Sequence, residues 1–510
     1  MRTRAEDGVS AGIDRRRFLG VTAAAAGGTS AILEPLIFTA PAAAAAPPDE
    51  TRTITGRFDP GAPDWVYLPV DVPPGVREIA VSYTYDKPTP PAGAQGNALD
   101  IGIFDQRGIA LGGRGFRGWS GGFRTGFSIS RTEATPGYLP GPVGAGRWHV
   151  ILGPYTVAPQ GMQYTVEVTL RYGDPGSAFR PNPAPDRATG RGRAWYRGDM
   201  HLHTVHSDGA RSPEELVAAA RAAKLDFIAS TEHNTSSASG IWGRHAGPDL
   251  LIVDGEEITT RNGHFLAVGL PAGAWIDWRY RATDGSFAEF ARRIHRLGGL
   301  VVAAHPYCPF VGCAWKFGYE RLDAVEVWNG PWTPDDDAAV ATWDNLLVAD
   351  ARTGDWLPAV GDSDAHREPQ VVGLPQTVVL ADDLDRDSII AGVRAGRSWL
   401  AESAAVDLTF TATGGGRTAG IGERLAVADG AAVTVSLTVT GAPSGLVRLI
   451  TDEGQLFAQF LPADGAGTVT WTTTPRQSAY VRAEVRRLEA AFPQGRMLAL
   501  TNPVFLGRTR

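Results

Sequence analysis

Between Trp195 and about Ser403, short apolar runs alternate with helix-period runs, and nearly every apolar run ends on, or carries within it, a His, Asp or Glu. Such alternation is the signature of βα units around a parallel sheet. The strand candidates are residues 227–229, 250–253, 265–268, 300–303, 324–327, 357–360 and 377–380. One helix is announced by Ser212 as N-cap, Pro213 behind it and Glu215 closing a capping box. Others are predicted over 287–297, stopped by Gly298-Gly299, over 335–352 and over 387–395.

The residues at the ends of these runs form a set. His201 and His203, two apart on an extended chain, point to one side. Asp208 lies in the turn Ser207-Asp208-Gly209, His233 follows the run 227–230, and Glu257 follows the run 250–253. His264 opens the next run, His305 closes 300–304, and Asp364 and His366 follow 357–361. In a closed βα barrel the C-terminal strand ends gather on one face, where such groups meet. Nine oxygen and imidazole donors converging there suit Zn²⁺, Mn²⁺ or Fe. The three carboxylates of the set repel one another without a cation; with one, the same charge becomes binding energy.

His201-Leu-His203, Ser207-Asp208-Gly209, Glu232-His233-Asn234, Gly255-Glu256-Glu257-Ile258, Gly263-His264, Ala304-His305-Pro306 and Gly361-Asp362-Ser363-Asp364-Ala365-His366 resemble, in order, the motifs of the PHP (polymerase and histidinol phosphatase) metallohydrolases. With flanking β modules, the chain is similar to the CehA/McbA-like, carbaryl-hydrolase branch. The resemblance covers about two fifths of the chain. It implies a distorted (β/α)7 barrel and two or three divalent ions. His201, His203, Glu257 and Asp364 would hold one; Glu257, His264 and His305 a second, with Glu257 bridging; Asp208, His233 and His366 a third. Asp364 and His366 are also the candidates for moving the proton to the leaving group. One departure stands out: the family usually has Asp where this chain has Glu232, and the longer carboxylate bears on how an imidazole is supported.

The flanks read differently. A chain of 510 residues is too long for one ordinary domain. Residues 51–173 alternate apolar and polar between Gly/Pro turns, as in Trp65-Val66-Tyr67-Leu68 and Trp148-His149-Val150-Ile151, which predicts a β-sandwich. Residues 174–194 are Pro-rich and form a linker. The barrel domain is expected over 195–403. Alternation returns over 405–510, a second sandwich of immunoglobulin size. The architecture expected is therefore multidomain, a central barrel between two β-sandwiches.

Residues 1–46 read as an export signal. Arg15-Arg16-Arg17-Phe18-Leu19 precedes a soft apolar stretch and small residues, a pattern resembling the twin-arginine signal of proteins exported already folded. Glu34 and Pro35 interrupt the stretch short of a membrane span. The expected location is periplasmic or extracellular, with the twin-arginine machinery as a partner. Two cysteines, Cys308 and Cys313, allow one local bridge, free thiols or, beside His305, thiolate ligands. Net charge is −7 and the basic residues are scattered among acids, so no patch advertises nucleic acid.

The first expectation is hydrolysis of a small-molecule ester, carbamate or amide. The alternative on the same cluster is a phosphoesterase, for which Arg244, Arg261 or Arg367 would have to clamp phosphate. The second alternative is a non-catalytic surface protein that binds glycan or partners. Trp315, Trp328, Asn329 and Trp332 either wall a pocket or pack the core. Asp362 is expected behind the site, His206 in a hydrogen-bonding role, His149 as structural, and His245 and His295 on the surface.

Overall fold

The structure is a computed structural model and describes residues 47–509; the predicted export signal lies outside them. The N-terminal part is a sandwich of two four-stranded antiparallel sheets. Its core is built by the alternation read in the sequence: Leu99, Ile101 and Ile103 on one strand meet Val150 and Leu152 on the next.

The central part is one curled sheet. Its strands are β1 (Ala194–Asp199), β2 (Phe227–Ser230), β3 (Leu251–Thr260), β4 (Gly263–Val268), β5 (Leu300–Ala303), β6 (Ala324–Asn329), β7 (Ala359–Asp362), β8 (Gln376–Ala381) and β9 (Ser398–Ala401). They lie in the order β7-β6-β5-β4-β3-β2-β1-β8-β9. The helices are α1 (Pro213–Ala222), α2 (Phe287–Arg296), α3 (Pro334–Asp350) and α4 (Arg386–Arg394). The capping box on α1 forms as expected, with Ser212 accepting from the Glu215 N–H and the Glu215 carboxylate receiving the Ser212 N–H.

A strictly parallel (β/α)7 arrangement is not what forms. β1, β2 and β3 are parallel, as are β5, β6 and β7, but β4 runs antiparallel to both its neighbours and β8 antiparallel to β1. The cause is the turn Thr260-Arg261-Asn262-Gly263, where the Thr260 hydroxyl donates to the Gly263 carbonyl and folds β3 straight back as a hairpin. β3 is also longer than the sequence suggested, so Glu257 sits within it rather than after it. The curl brings β7 back to β1, where Leu202 bridges Ala365 in parallel and Asp362 accepts from the Met200 N–H at 2.8 Å.

The flanking parts are fused to this sheet. β9 pairs with the strand Phe492–Thr501 of the C-terminal part, Trp399 opposite Thr501, so the ladder runs on without a break. On the other flank, Phe116 stacks on Trp275 at 4.2 Å and the Arg279 guanidinium donates to the Tyr67 hydroxyl and the Ile109 carbonyl. A second four-stranded sheet covers the C-terminal core. Among the described residues no helix is long and apolar enough to cross a membrane.

Candidate metal centre

All nine side chains of the sequence-derived set meet at one end of the curled sheet. Glu257 is their hub. Its Oε2 lies 3.2 Å from His201 Nε2, 3.3 Å from His203 Nε2 and 2.9 Å from His233 Nδ1. Its Oε1 lies 2.8 Å from His264 Nδ1 and 3.2 Å from His305 Nε2. Asp364 Oδ1 faces His203 Nε2 at 3.0 Å and His201 Nε2 at 3.3 Å. Asp208 Oδ1 faces His366 Nε2 at 3.2 Å and His233 Nε2 at 3.4 Å. Glu256, its neighbour in the chain, points the other way and accepts from the Ile276 N–H.

Local backbone explains how residues so far apart in sequence converge. The period of two on β1 carries past its end, so His201 and His203 share a side. Gly209 lets the Asp208 turn press onto this segment, since a Cβ there would stand 2.6 Å from the His203 carbonyl carbon. Asn234, His305 and Asp364 all have positive φ, a costly conformation for such residues that concentrates at functional sites. Two of them are held by hydrogen bonds: Asn234 by exchange with the Thr259 backbone, His305 by donation of its N–H to Glu326 Oε2 at 2.7 Å.

The donor set fits metal ions. Six of its buried atoms, His201 Nε2, His203 Nε2, His264 Nε2, Asp208 Oδ1, Glu257 Oε2 and Asp364 Oδ1, make no well-aligned hydrogen bond, although all but His264 Nε2 face another member of the set within 3.4 Å. Buried polar atoms are seldom left so, and these six crowd one region. Two groups have ligand atoms mutually within 4.8 Å: His201, His203, Glu257 and Asp364; and His203, Asp208, His233 and His366. The second adds His203 to the trio expected from sequence. His264 and His305 make a third group with Cys313. Cys313 is bonded to Cys308, so its sulfur is no thiolate ligand, and Glu257 Oε1 is the oxygen those imidazoles share.

Electrostatics agree with this reading. Burial, then the neighbouring His366 and His233, hold His203 down to about 3, the neutral form a ligand must have. Burial also opposes charge on His233 and His201, but the surrounding carboxylates outweigh it and raise both. The imidazoles thus draw protons toward the place where a cation would supply the same compensation.

The surrounding side chains fix the set. Glu326 lies 3.1 Å from His201 Nδ1 and receives Asn329 Nδ2 at 3.0 Å. The sequence reading passed over Glu326, though a lone acid inside Ala324-Val325-Glu326-Val327 was signal enough. Glu232 accepts from the Thr204 N–H and hydroxyl and from the Ser207 hydroxyl at 2.5 Å, and Ser207 Oγ stands 3.4 Å from His203 Nδ1. The longer carboxylate therefore braces His203 through Ser207. His366 Nδ1 donates to the Asp364 carbonyl at 2.8 Å, leaving Nε2 toward Asp208. Asp362 accepts from the Met200 N–H and the Thr377 hydroxyl behind the site, as expected.

Other candidates fall elsewhere. Trp315, Trp328 and Trp332 are buried in the core, whereas Asn329 faces the site. His206 hydrogen-bonds Ser237 and His149 lies in a sandwich strand. His295 is not simply solvated: its Nε2 pairs with Asp323 at 2.8 Å. Arg244 lines a separate surface hollow with Glu214 and Arg221, and Arg367 donates to the Asp208 carbonyl. Arg261 is near the site, but its guanidinium is spent on the carbonyls of Pro154 and Tyr155. Two cavities of about 380 and 390 Å³ border the donor set, sharing His233 and His264.

No protein-family model matches the chain. An uncharacterized protein of Methanocaldococcus jannaschii is 27% identical over 151 residues, which is 26% of this chain and 81% of that one. A two-domain protein of Bacteroides vulgatus containing a predicted PHP-like metal-dependent phosphoesterase is similar over 64% of this chain and all of its own, at 18% identity and a TM-score of 0.35. An amidohydrolase from Chromobacterium violaceum is similar over 34% of this chain and 89% of its own, at 17% identity and a TM-score of 0.26.

Proposed function

We propose that this protein is a metal-dependent hydrolase of the PHP kind, of the carbaryl-hydrolase-like branch, acting on a carbonyl-centred ester, carbamate or amide. The observation that carries the reading is the crowd of donor atoms around Glu257 that make no well-aligned hydrogen bond. Divalent ions held there acidify water and polarise the scissile oxygen. His201, His203, Glu257 and Asp364 would hold one ion, His264 and His305 with Glu257 a second, and Asp208, His233 and His366 a third.

The chain's own groups do the rest. Asp364 and His366, 3.5 Å apart and each partly exposed, border the second cavity; we assign them to carry the proton to the leaving group, His366 through Nε2 where no third ion is held. Asn329 Nδ2, 3.4 Å from Asp364 Oδ2, orients that carboxylate. Preference for a carbonyl over a phosphoryl centre rests on the cations. Arg261 and Arg367 both donate to backbone carbonyls, and Trp65, Trp119, Phe123, Tyr155 and Trp278 line the first cavity.

Export belongs to the same proposal. Its supports are the Arg15-Arg16-Arg17 motif and the Cys308–Cys313 bond, a linkage that persists in oxidising compartments. The test is direct. Full-length protein is stripped with chelator, reloaded with Mn²⁺, Zn²⁺ or Fe²⁺, and assayed on aryl acetate, aryl carbamate and aryl phosphate. Metal-dependent turnover of the first two, lost in Glu257→Gln, supports the reading. Turnover confined to phosphate sinks the carbonyl assignment, and no metal retained by the native protein sinks the hydrolase.

A further inference from the structure

The first cavity lies between the N-terminal sandwich and the central sheet, with His233 and His264 at its inner end. Its outer wall belongs to the sandwich, where Trp65, Phe123 and Tyr155 present rings. Among them stands a carboxylate, Asp100. It lies on the strand Ala98–Phe104, whose alternate residues Leu99, Ile101 and Ile103 fill the sandwich core. The same alternation turns Asp100 out toward the cavity.

What sets Asp100 apart is its lack of company. Asp64, on the same wall, is held by Arg281 at 2.6 Å. Asp105 is held by Arg107, and Asp277 by Arg279. Asp100 has no hydrogen bond or ion pair among the described residues, and Arg261 nearby is engaged by backbone carbonyls. Gly122 and Gly153 bracket it, each placing a would-be Cβ 3.3 Å from its side chain, so the protein closes in on the group without donating to it. Crowding raises its carboxyl to about 7, with Arg261 and His233 opposing. A carboxylate in an aromatic-walled hollow is costly unless something donates to it.

We propose that Asp100 determines specificity by receiving an N–H donor, an ammonium or amide, carried by the aromatic part of the substrate. This rests on the hydrolase reading only for the word substrate; the recognition itself is a property of the cavity. A ring seats against Phe123 and Tyr155, its N–H group meets Asp100, and the scissile carbonyl reaches inward toward His233 and His264. The N-terminal sandwich is then part of the binding site.

The test separates the two claims. Quenching of tryptophan fluorescence in the full-length protein is titrated with 2-phenylethylamine and with benzyl methyl ether, which matches it in heavy-atom count but lacks a donor. The amine is expected to bind about tenfold more tightly, the scale of a hydrogen bond to a charged group, and Asp100→Ala to erase the difference. Asp100→Asn, which preserves shape, should reduce it and serves if the alanine variant fails to fold. In parallel, kcat/KM is compared for the 4-nitrophenyl esters of phenylalanine and of 3-phenylpropanoic acid. Their ratio should favour the amine-bearing ester in the native protein and fall toward one in Asp100→Ala. Equal binding of the two aryl ligands, or a preference that survives in Asp100→Ala, overturns the proposal. An amine preference with neither ester hydrolysed upholds it and removes the ester-hydrolase reading instead.

Discussion

Glu326 stands 3.1 Å from His201 Nδ1, and through its other oxygen it takes the backbone N–H of His305, so one carboxylate sets two of the imidazoles around Glu257. Removing it should loosen the centre without touching a ligand. Glu326→Ala is expected to weaken metal affinity by about 10- to 100-fold, the usual cost of losing a group behind a ligand. Competition titration against a chromogenic chelator measures it; Glu326→Gln should lose less.

Glu232 tests how far the longer carboxylate is built in. It satisfies three donors in a fully buried spot, the N–H and hydroxyl of Thr204 and the hydroxyl of Ser207. Glu232→Ala leaves all three without an acceptor and should cost about 3 kcal/mol in urea unfolding. Glu232→Asp should recover part of that. A neutral alanine variant would show that this brace carries no load.

Cation binding should be visible as stability. The donor set gathers three carboxylates and six imidazoles around shared space. A metal present at a hundredfold excess over its dissociation constant adds about 2.7 kcal/mol. Chelator-treated protein is therefore expected to melt several degrees lower, and Mn²⁺ or Zn²⁺ to restore it. Glu257→Gln should blunt the response.

Acid lability should trace to the C-terminal part. Glu484 is buried between Arg482 and Arg486, which reach on to Asp344 and Asp337 of α3. Burial raises the Glu484 carboxyl, but the two guanidiniums outweigh it and hold the group at about 2, below its ordinary 4.5. A carboxyl depressed by folding stabilises above its unfolded value and loses that contribution as pH falls through the window from 4.5 to 2. The amount is roughly 3 kcal/mol. The stability gap between native protein and Glu484→Gln should be widest near pH 6 and close toward pH 2.5. A constant gap would refute the linkage.

What the sequence disclosed follows from how chemistry constrains residues. His and acid side chains at the ends of apolar runs are conspicuous, and all nine chosen this way come together. Glu326 was hidden because it sits inside such a run, where an acid looks like an interruption. The length of β3 was hidden because Asp254 and Gly255 break its apolar pattern, while its antiparallel partner β4 extends it. That pairing is also why the sheet is mixed where the alternation of runs had suggested a parallel one. Asp100 gave no signal: in an alternating strand its position is polar by default, and only the fold brings the central sheet opposite it. The sandwich alternation was legible, whereas its docking through Phe116 and Trp275 was not, because stacking between distant residues leaves no local trace.

The pairing of Trp399 with Thr501 makes the C-terminal part the neighbour that β9 requires. Cutting the chain after the last strand of the central sheet would strip that strand of its partner and expose a raw row of amides and carbonyls, an invitation to clump with other copies. A chain trimmed to the stretch that bears the donor set should therefore precipitate, and natural reshuffling of these parts would have to carry both together.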